Sequence, residues 1–291
     1  MNKSPINKIS RLEIADVLRN AINEDLGAYG DITSKYIFTE EDFSESYIVC
    51  KEKDGAVLCG IDAAKFIFEE IDIEVDFVKL KKDGDLLKCN DRICKIKGRT
   101  LSILKSERVS LNFIQHLSGI ATLTNKFASA ASDYGVKITE TRKTLPNLRL
   151  LEKYAVRCGG GHNHRFGLFD GILIKDNHIA AAGGISKAIS TLRSKIPHTL
   201  KIEVEVKTRS ELEEALESKA DIIMLDNMSC EEMASSVKLI RERSKNNCKI
   251  EASGGVRFET LEDICRTGVD LISSGSITNS AKAIDFSLEF I

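Results

Sequence analysis

From Val136 onward, strand-like and helix-like runs alternate, and this alternation constrains the fold more than any other feature of the chain. The strand-like runs are Val136 to Glu140, Gly171 to Lys175, Lys201 to Val206, Asp221 to Leu225, Lys249 to Ala252 and Asp270 to Ser273. Helical periodicity fills Ile185 to Lys195, Ser210 to Lys219, Glu231 to Lys245 and Phe258 to Arg266. A repeated strand-then-helix order implies a parallel sheet with helical crossovers. The strands are apolar on both faces near their starts, as expected when helices cover both sides. Their ends are polar: Lys175, Glu205, Asp226, Ser253-Gly254-Gly255 and Ser274-Gly275-Ser276. In an α/β barrel all these ends open on one face, where chemistry is built. A doubly wound open sheet, the weaker alternative, also places ligands at strand C-termini.

The first part of the chain reads differently. Arg11 to Asn23 has Leu12, Ala15, Leu18 and Ile22 at helical spacing, with Ser10 as N-cap. Short strands are predicted at Glu45 to Lys51, Val75 to Leu80, Asp85 to Lys88 and Arg92 to Lys97. Lys53-Asp54-Gly55 and Lys82-Asp83-Gly84 supply turns between them. Asp62 to Ile71 reads as a helix, giving a small sheet with a helix on it. A long helical tract follows from Thr100 to Ser132, with Gly119 a break or a close-packing point.

The 291 residues suit two domains, and 42 % hydrophobic content is enough for packed cores. The net charge of -2 argues against a nucleic-acid partner, so any anion site must be a local cluster. No apolar run is long enough for a membrane span. Met1 to Ser10 holds Lys3 and Lys8 with no apolar stretch behind them, unlike a secretory signal. The eight cysteines are scattered and form no CxxC, which fits reduced thiols in a cytoplasmic protein rather than a disulfide scaffold or a paired zinc site.

Charge is concentrated between Thr141 and His178. Seven cations (Arg142, Lys143, Arg149, Lys153, Arg157, Arg165, Lys175) face three acids (Glu152, Asp170, Asp176). Arginine forks match carboxylates and lysine supplies point charge for phosphate. A solvated helical face would explain Arg149, Lys153 and Arg157, which lie at i, i+4 spacing. It does not explain Arg142, Lys143 and Lys175, which sit at strand ends. Cys158 to Arg165 is a glycine-rich turn carrying His162 and His164. Two histidines at i, i+2 without a nearby acid make a poor zinc pattern, so anion binding is favoured. Glu203 and Glu205 share one face of a strand, and either a metal, cation or hydroxyl ligand or a structural ion pair accounts for them.

Thr141-Arg142-Lys143-Thr144, Leu150 to Cys158, GGGHNHRFGL (Gly159 to Leu168) and Leu173 to His178 closely resemble the quinolinate phosphoribosyltransferase family. The likeness continues at Gly30 to Thr33, Glu107-Arg108, Leu111-Asn112, His116 to Thr122, Met224 to Asn227 and Glu251 to Gly255. It spans nearly the whole chain. Leu145-Pro146-Asn147 stands where the family usually has Thr-Pro-Gly, and Ser274-Gly275-Ser276 is more hydroxylated than usual. Both concern loop shape rather than a charged group.

The resemblance implies an N-terminal α/β sandwich over residues 1–117 and an incomplete α/β barrel over 118–275. Residues 276–291 form a C-terminal segment free to return to the first domain. It implies a homodimer with shared active sites, with higher assembly left open. Carried over by position, Arg108 reaches in from the partner. Arg142, Lys143, His164, Arg165 and Lys175 form the basic pocket. Glu205 and Asp226 face the ribose and magnesium, directly or through water. Ser253, Gly254 and Gly275 take the donor's 5-phosphate. The implied reaction joins quinolinate to 5-phosphoribosyl 1-pyrophosphate. The pyridine nitrogen attacks the anomeric carbon, pyrophosphate departs against magnesium and lysine charge, and carbon dioxide is lost. Lys143, Lys175, Glu205 and Asp226 are the implied catalytic groups. A related phosphoribosyltransferase-like protein of molybdate transport, an aldolase with Lys175 as Schiff base, and a non-enzymatic binding protein are the rival readings.

Overall fold

The computed structural model describes residues 9–245 and 247–291. The reading of Met1 to Ser10 therefore lies outside the described residues as far as residue 8. The chain divides into two compact units. One takes the residues up to Asn125 with Thr144–Gly160 and Ile277–Ile291, and the other takes Lys126–Lys143 with Gly161–Ser276.

In chain order the first stretch holds α1 (Arg11–Leu26), α2 (Ile32–Ile37), β1 (Phe43–Cys50), β2 (Ala56–Val57) and α3 (Ile61–Ile71). Then come β3 (Asp76–Lys79), β4 (Leu86–Leu87), β5 (Arg92–Arg99) and α4 (Thr100–Ser132). The remaining elements are β6 (Lys137–Thr139), α5 (Arg149–Cys158), β7 (Ile172–Ile174), α6 (Asp176–Ala182), α7 (Ile185–Arg193) and β8 (Ile202–Val206). They continue with α8 (Arg209–Glu217), β9 (Ile222–Asp226), α9 (Cys230–Ser244), β10 (Lys249–Ser253), α10 (Phe258–Arg266), β11 (Leu271–Ser273), α11 (Ser276–Asn279) and β12 (Phe286–Phe290).

The first unit is built on a four-stranded antiparallel sheet, in the order β12-β1-β5-β3, with a small β2-β4 pair. Alternating apolar residues of β1 and β5, such as Ile48, Cys94 and Ile96, pack with Leu58, Phe68 and Ile103 in its core. Ser10 caps α1 as expected, in a reciprocal capping box with Glu13. The end of α3 is tied by Asp72, which accepts a two-pronged bond from Arg99 (2.9 and 2.8 Å) and another from the Ser102 hydroxyl. The Arg99 guanidinium holds the Asp72 carboxyl well below the usual carboxylate range. Gly119 does not break α4; a Cβ there would lie 2.2 Å from the Lys282 carbonyl oxygen, so it is a close-packing glycine. Asn147 takes the left-handed conformation (φ 64°), which asparagine tolerates better than most residues.

The second unit carries six parallel strands in the order β6-β11-β10-β9-β8-β7. Consecutive strands β7 to β11 are neighbours, and β6 pairs with the last of them. This is the cyclic strand order of a barrel left open between β6 and β7, so the α/β fold with an incomplete barrel is the architecture found. The free side of β6 is covered by the loop after α5: His162 bridges Thr139 and its N–H bonds to the Ile138 carbonyl (2.8 Å). Every residue of β8 is buried, which accounts for its unbroken Ile-Glu-Val-Glu-Val. Thr208 and Ser229 cap α8 and α9 in boxes with Glu211 and Glu232. These caps start each helix two or three residues beyond a strand, so the strand ends stay short and fixed.

Candidate active site

Parallel strands in register deliver their C-terminal residues to one side of the second unit. Asp226 lies level with Ser253, and Glu205 level with Met224 and, one strand further, Glu251. Lys175, immediately after β7, bonds through its ammonium to the Glu205 carboxylate. Lys207, just past β8, was not singled out from the sequence. Its Nζ lies 2.8 Å from Asp176, and that bond, with the nearby charges of Asp176, Asp226 and Glu205, raises its pKa. The signal that marks it is position alone: one residue beyond a strand of acids.

The cations converge as well. Arg142 and Lys143 follow β6 and are exposed, and Arg165 is half-buried. Burial, then the like charge of Arg142, pull the Arg165 pKa below its ordinary value. Two guanidinium groups close enough to repel favour an anion between or beside them. Arg165 is steadied by a bond from Nη1 to the Gly171 carbonyl (3.0 Å). A Cβ on Gly275 would meet the Lys143 side chain at 2.8 Å, so the Ser-Gly-Ser turn must be bare there for Lys143 to pass. Gly254 has φ 87°, and a Cβ on it would collide with the Asn227 side chain. Asn227 is itself left-handed (φ 54°) and bonds through its N–H to the Ser253 carbonyl (2.9 Å).

The His-Asn-His loop corrects one expectation. His164 was read as lacking an acidic partner, but the sheet brings two. Its Nε2 lies 3.3 Å from Glu203 and 3.6 Å from Glu251, carboxylates remote in sequence that share the barrel interior. From the other side Glu140 accepts the His164 N–H (3.1 Å) and the Asn163 amide (3.0 Å). Burial, followed by the neighbouring Glu203 charge, pushes the Glu251 carboxyl up to about 7.

In the first unit, Arg108 is exposed on α4. The solvated-face reading of α5 fails at its centre, where Lys153 is buried, although Arg149 and Arg157 keep partial exposure. Cys59, Asp83 and Cys158 form a second group with metal-ligand spacing, which the sequence distances hid. Asp83 already accepts from the Ile61 N–H (3.0 Å) and the Tyr154 hydroxyl (2.8 Å), which explains it as a cap for α3. A cleft of about 620 Å³ lined by Glu217, Lys219, Asp221 and Arg243 lies at the opposite, N-terminal ends of β9 and β10. It gathers no comparable constellation.

Cations and acids collected at one set of strand ends of an open parallel barrel, beside glycine turns, define an α/β-barrel enzyme that handles polyanionic substrates. Residues 31–118 match the model of the quinolinate phosphoribosyl transferase N-terminal domain, and residues 120–289 match that of the C-terminal domain. The chain belongs to the quinolinate phosphoribosyltransferase family. It is 43 % identical over 281 residues to a probable nicotinate-nucleotide pyrophosphorylase [carboxylating] of Bacillus subtilis, covering 97 % of this chain and 94 % of that one. It is 42 % identical to quinolinate phosphoribosyltransferase [decarboxylating] 1b of Nicotiana tabacum, over 95 % of this chain and 82 % of the other. Among solved structures, the nicotinate-nucleotide pyrophosphorylase of Francisella tularensis superposes with a TM-score of 0.91 at 42 % identity, covering 100 % of both chains.

Proposed function

We propose that this chain transfers the phosphoribosyl group of 5-phosphoribosyl 1-pyrophosphate to quinolinate, releasing pyrophosphate and carbon dioxide and giving nicotinate mononucleotide for NAD biosynthesis. The observation that carries this reading is the division of the strand ends into two halves. Arg142, Lys143, His164, Arg165 and Lys175 lie on the early strand ends and the loop beside β6 and form the basic pocket for the two adjacent carboxylates, with Lys143 and Lys175 at its border with the pyrophosphate. Glu205 and Asp226 take the ribose hydroxyls, and Ser253, Gly254 and Gly275 take the 5-phosphate. Glycine turns at late strand ends suit a phosphate held by backbone N–H groups.

The acceptor's ring nitrogen attacks the anomeric carbon, so no protein nucleophile is needed. The cationic half binds and orients the ring, and Lys143 and Lys175 offset the charge of the departing pyrophosphate. Glu205 and Asp226 offer oxygen donors on adjacent strand ends, the donor set a magnesium ion takes. Magnesium, when bound with the donor substrate, supplies charge neutralisation at the phosphates. A Schiff-base aldolase requires a desolvated lysine, whereas the Lys175 side chain is 44 % exposed and ion-paired to Glu205.

We place the functional boundaries at residues 1–117 and 118–275, with 276–291 a C-terminal segment that returns to the first domain through β12. We further propose a homodimer in which Arg108 completes the partner's acceptor pocket. The exposed apolar side chains Tyr29, Ile32, Tyr36 and Ile37 of the first unit, and Leu168 and Phe169 of the second, support a subunit contact. Among the described residues no helix is long and apolar enough to cross a membrane, and we propose a cytoplasmic protein. The test is formation of nicotinate mononucleotide from quinolinate and the phosphoribosyl donor, with nicotinate as control acceptor. Turnover of nicotinate in preference to quinolinate, or of neither, would overturn the reading.

A further inference from the structure

Inside the second unit, Glu203 and Glu251 are buried, and each has a carboxylate oxygen, Oε1, with no hydrogen-bond partner. The Thr139 hydroxyl on β6 is likewise buried and unpartnered, and the buried Ser273 hydroxyl on β11 faces the Glu251 carboxyl. Two buried carboxylates with spare oxygens around His164 have the spacing of a metal site. The imidazole argues against one. Its Nδ1 accepts the backbone N–H of Arg165 at 2.7 Å, so Nδ1 is the bare nitrogen. The proton of the neutral ring then sits on Nε2, the atom facing the carboxylates. Ligation at Nε2 would have to expel the only proton of the ring and leave an imidazolate, whereas metals ordinarily take a neutral imidazole.

With a metal set aside, the same atoms form a continuous brace. Glu203 receives the Nε2–H at 3.3 Å, Glu251 lies beside the same nitrogen at 3.6 Å without bonding to it, and the Nδ1 of the same ring receives the Arg165 N–H. Glu140 clasps His164 N–H and Asn163 from the other side. Arg165 is thereby fixed at its backbone by His164 and at its guanidinium by the Gly171 carbonyl. None of Glu203, Glu251 or Glu140 stands among the substrate contacts assigned above.

We propose that Glu203, with Glu251 beside it, is a positioning residue that locks the Nε2-protonated His164 ring from the barrel interior, and so holds the 162–165 loop and Arg165 in place for the acceptor. This rests on the proposed function for the identity of the acceptor, but not for the brace itself. A burial-driven structural role would weaken both substrates alike. The brace touches only the cationic half, so its loss falls on the acceptor.

Two measurements test it. Nitrogen-15 spectra of histidine-labelled protein, with the His164 signal assigned by its loss in His164→Gln, report the tautomer without any ligand. A bare Nδ1 and protonated Nε2 are expected in the parent. A doubly protonated ring, or a proton on Nδ1, overturns the proposal. Kinetically, Glu203→Ala should raise KM for quinolinate about tenfold or more while KM for the phosphoribosyl donor stays within about twofold. Glu203→Gln restores an acceptor for Nε2–H and should recover most of that loss. Equal rises in both KM values, with Gln no better than Ala, overturn the proposal. If the parent turns over no quinolinate, the functional reading falls, and the nitrogen-15 spectrum still decides the brace.

Discussion

Replacing Asp83 by Asn should change how the stability of the protein depends on pH. The Asp83 carboxylate is enclosed with the Cys59 and Cys158 thiols and accepts from Ile61 N–H and the Tyr154 hydroxyl. Burial outweighs those bonds and raises its pKa from 3.8 to about 6. Between those values the folded protein keeps a proton that the unfolded chain has released. The group's favourable contribution is therefore complete below the unfolded pKa and is lost as pH rises through about 6. The full difference of about two pKa units corresponds to a loss on the order of 3 kcal/mol. Asn mimics the protonated form and does not titrate. Glu251 and Asp72 titrate in both proteins and cancel in the comparison. Relative to the parent, Asp83→Asn should gain about 2 kcal/mol between roughly pH 4.5 and pH 8, with the rest falling below that interval. For a chain of this size that is a relative Tm shift of about 4–8 °C, read by calorimetry at each pH. A gap between the two proteins that does not change with pH would show that the Asp83 carboxyl is not held protonated by burial.

Three further outcomes bear on the proposed reaction. Arg142→Ala should raise KM for quinolinate about tenfold or more by removing a charge-assisted contact; an unchanged quinolinate response removes Arg142 from the pocket. Glu205→Gln and Asp226→Asn should impair use of the phosphoribosyl donor and shift the magnesium requirement, while calorimetric binding of quinolinate to the free enzyme survives. Loss of quinolinate binding with normal donor kinetics would exchange the two halves of the site. Arg108→Ala and Lys175→Ala should each be nearly inactive alone and regain activity when co-assembled, since one pocket of the heterodimer keeps both residues. Verified heterodimers that regain nothing would end the shared-site proposal.

What the sequence revealed, and what it hid, follows from the range of the interactions. The long helix Thr100–Ser132 was legible at both ends, because apolar spacing over so many turns leaves little ambiguity. Ile-Glu-Val-Glu-Val was legible as a buried strand, and Lys175, Glu205 and Asp226 as groups at strand ends. The short helix Ile32–Ile37 was missed although Asp31 caps it, because six residues cannot display a helical period. β12 was missed because its partner, β1, lies at the other end of the chain. The carboxylates around His164 escaped for the same reason: Glu140 follows β6, Glu203 and Glu251 lie on β8 and β10, and no local spacing relates them. Asn227 needed the backbone, since its left-handed turn is visible only as φ. The buried Lys153 shows that i, i+4 charge on a helix does not by itself say which way the face looks.

The pairing of β12 with β1 also has a consequence for how the protein is made. The sheet of the first unit gains its edge strand only when residues 286–290 exist. Phe43–Cys50 leaves the ribosome roughly 240 residues before that partner, a delay on the order of ten seconds to a minute at typical elongation rates. Throughout it, one side of β1 presents open N–H and C=O groups, the template that a neighbouring nascent chain could join. The moment of greatest exposure for this protein therefore comes early in its synthesis and at its first strand, and chaperones that shield strand edges have their longest opportunity there.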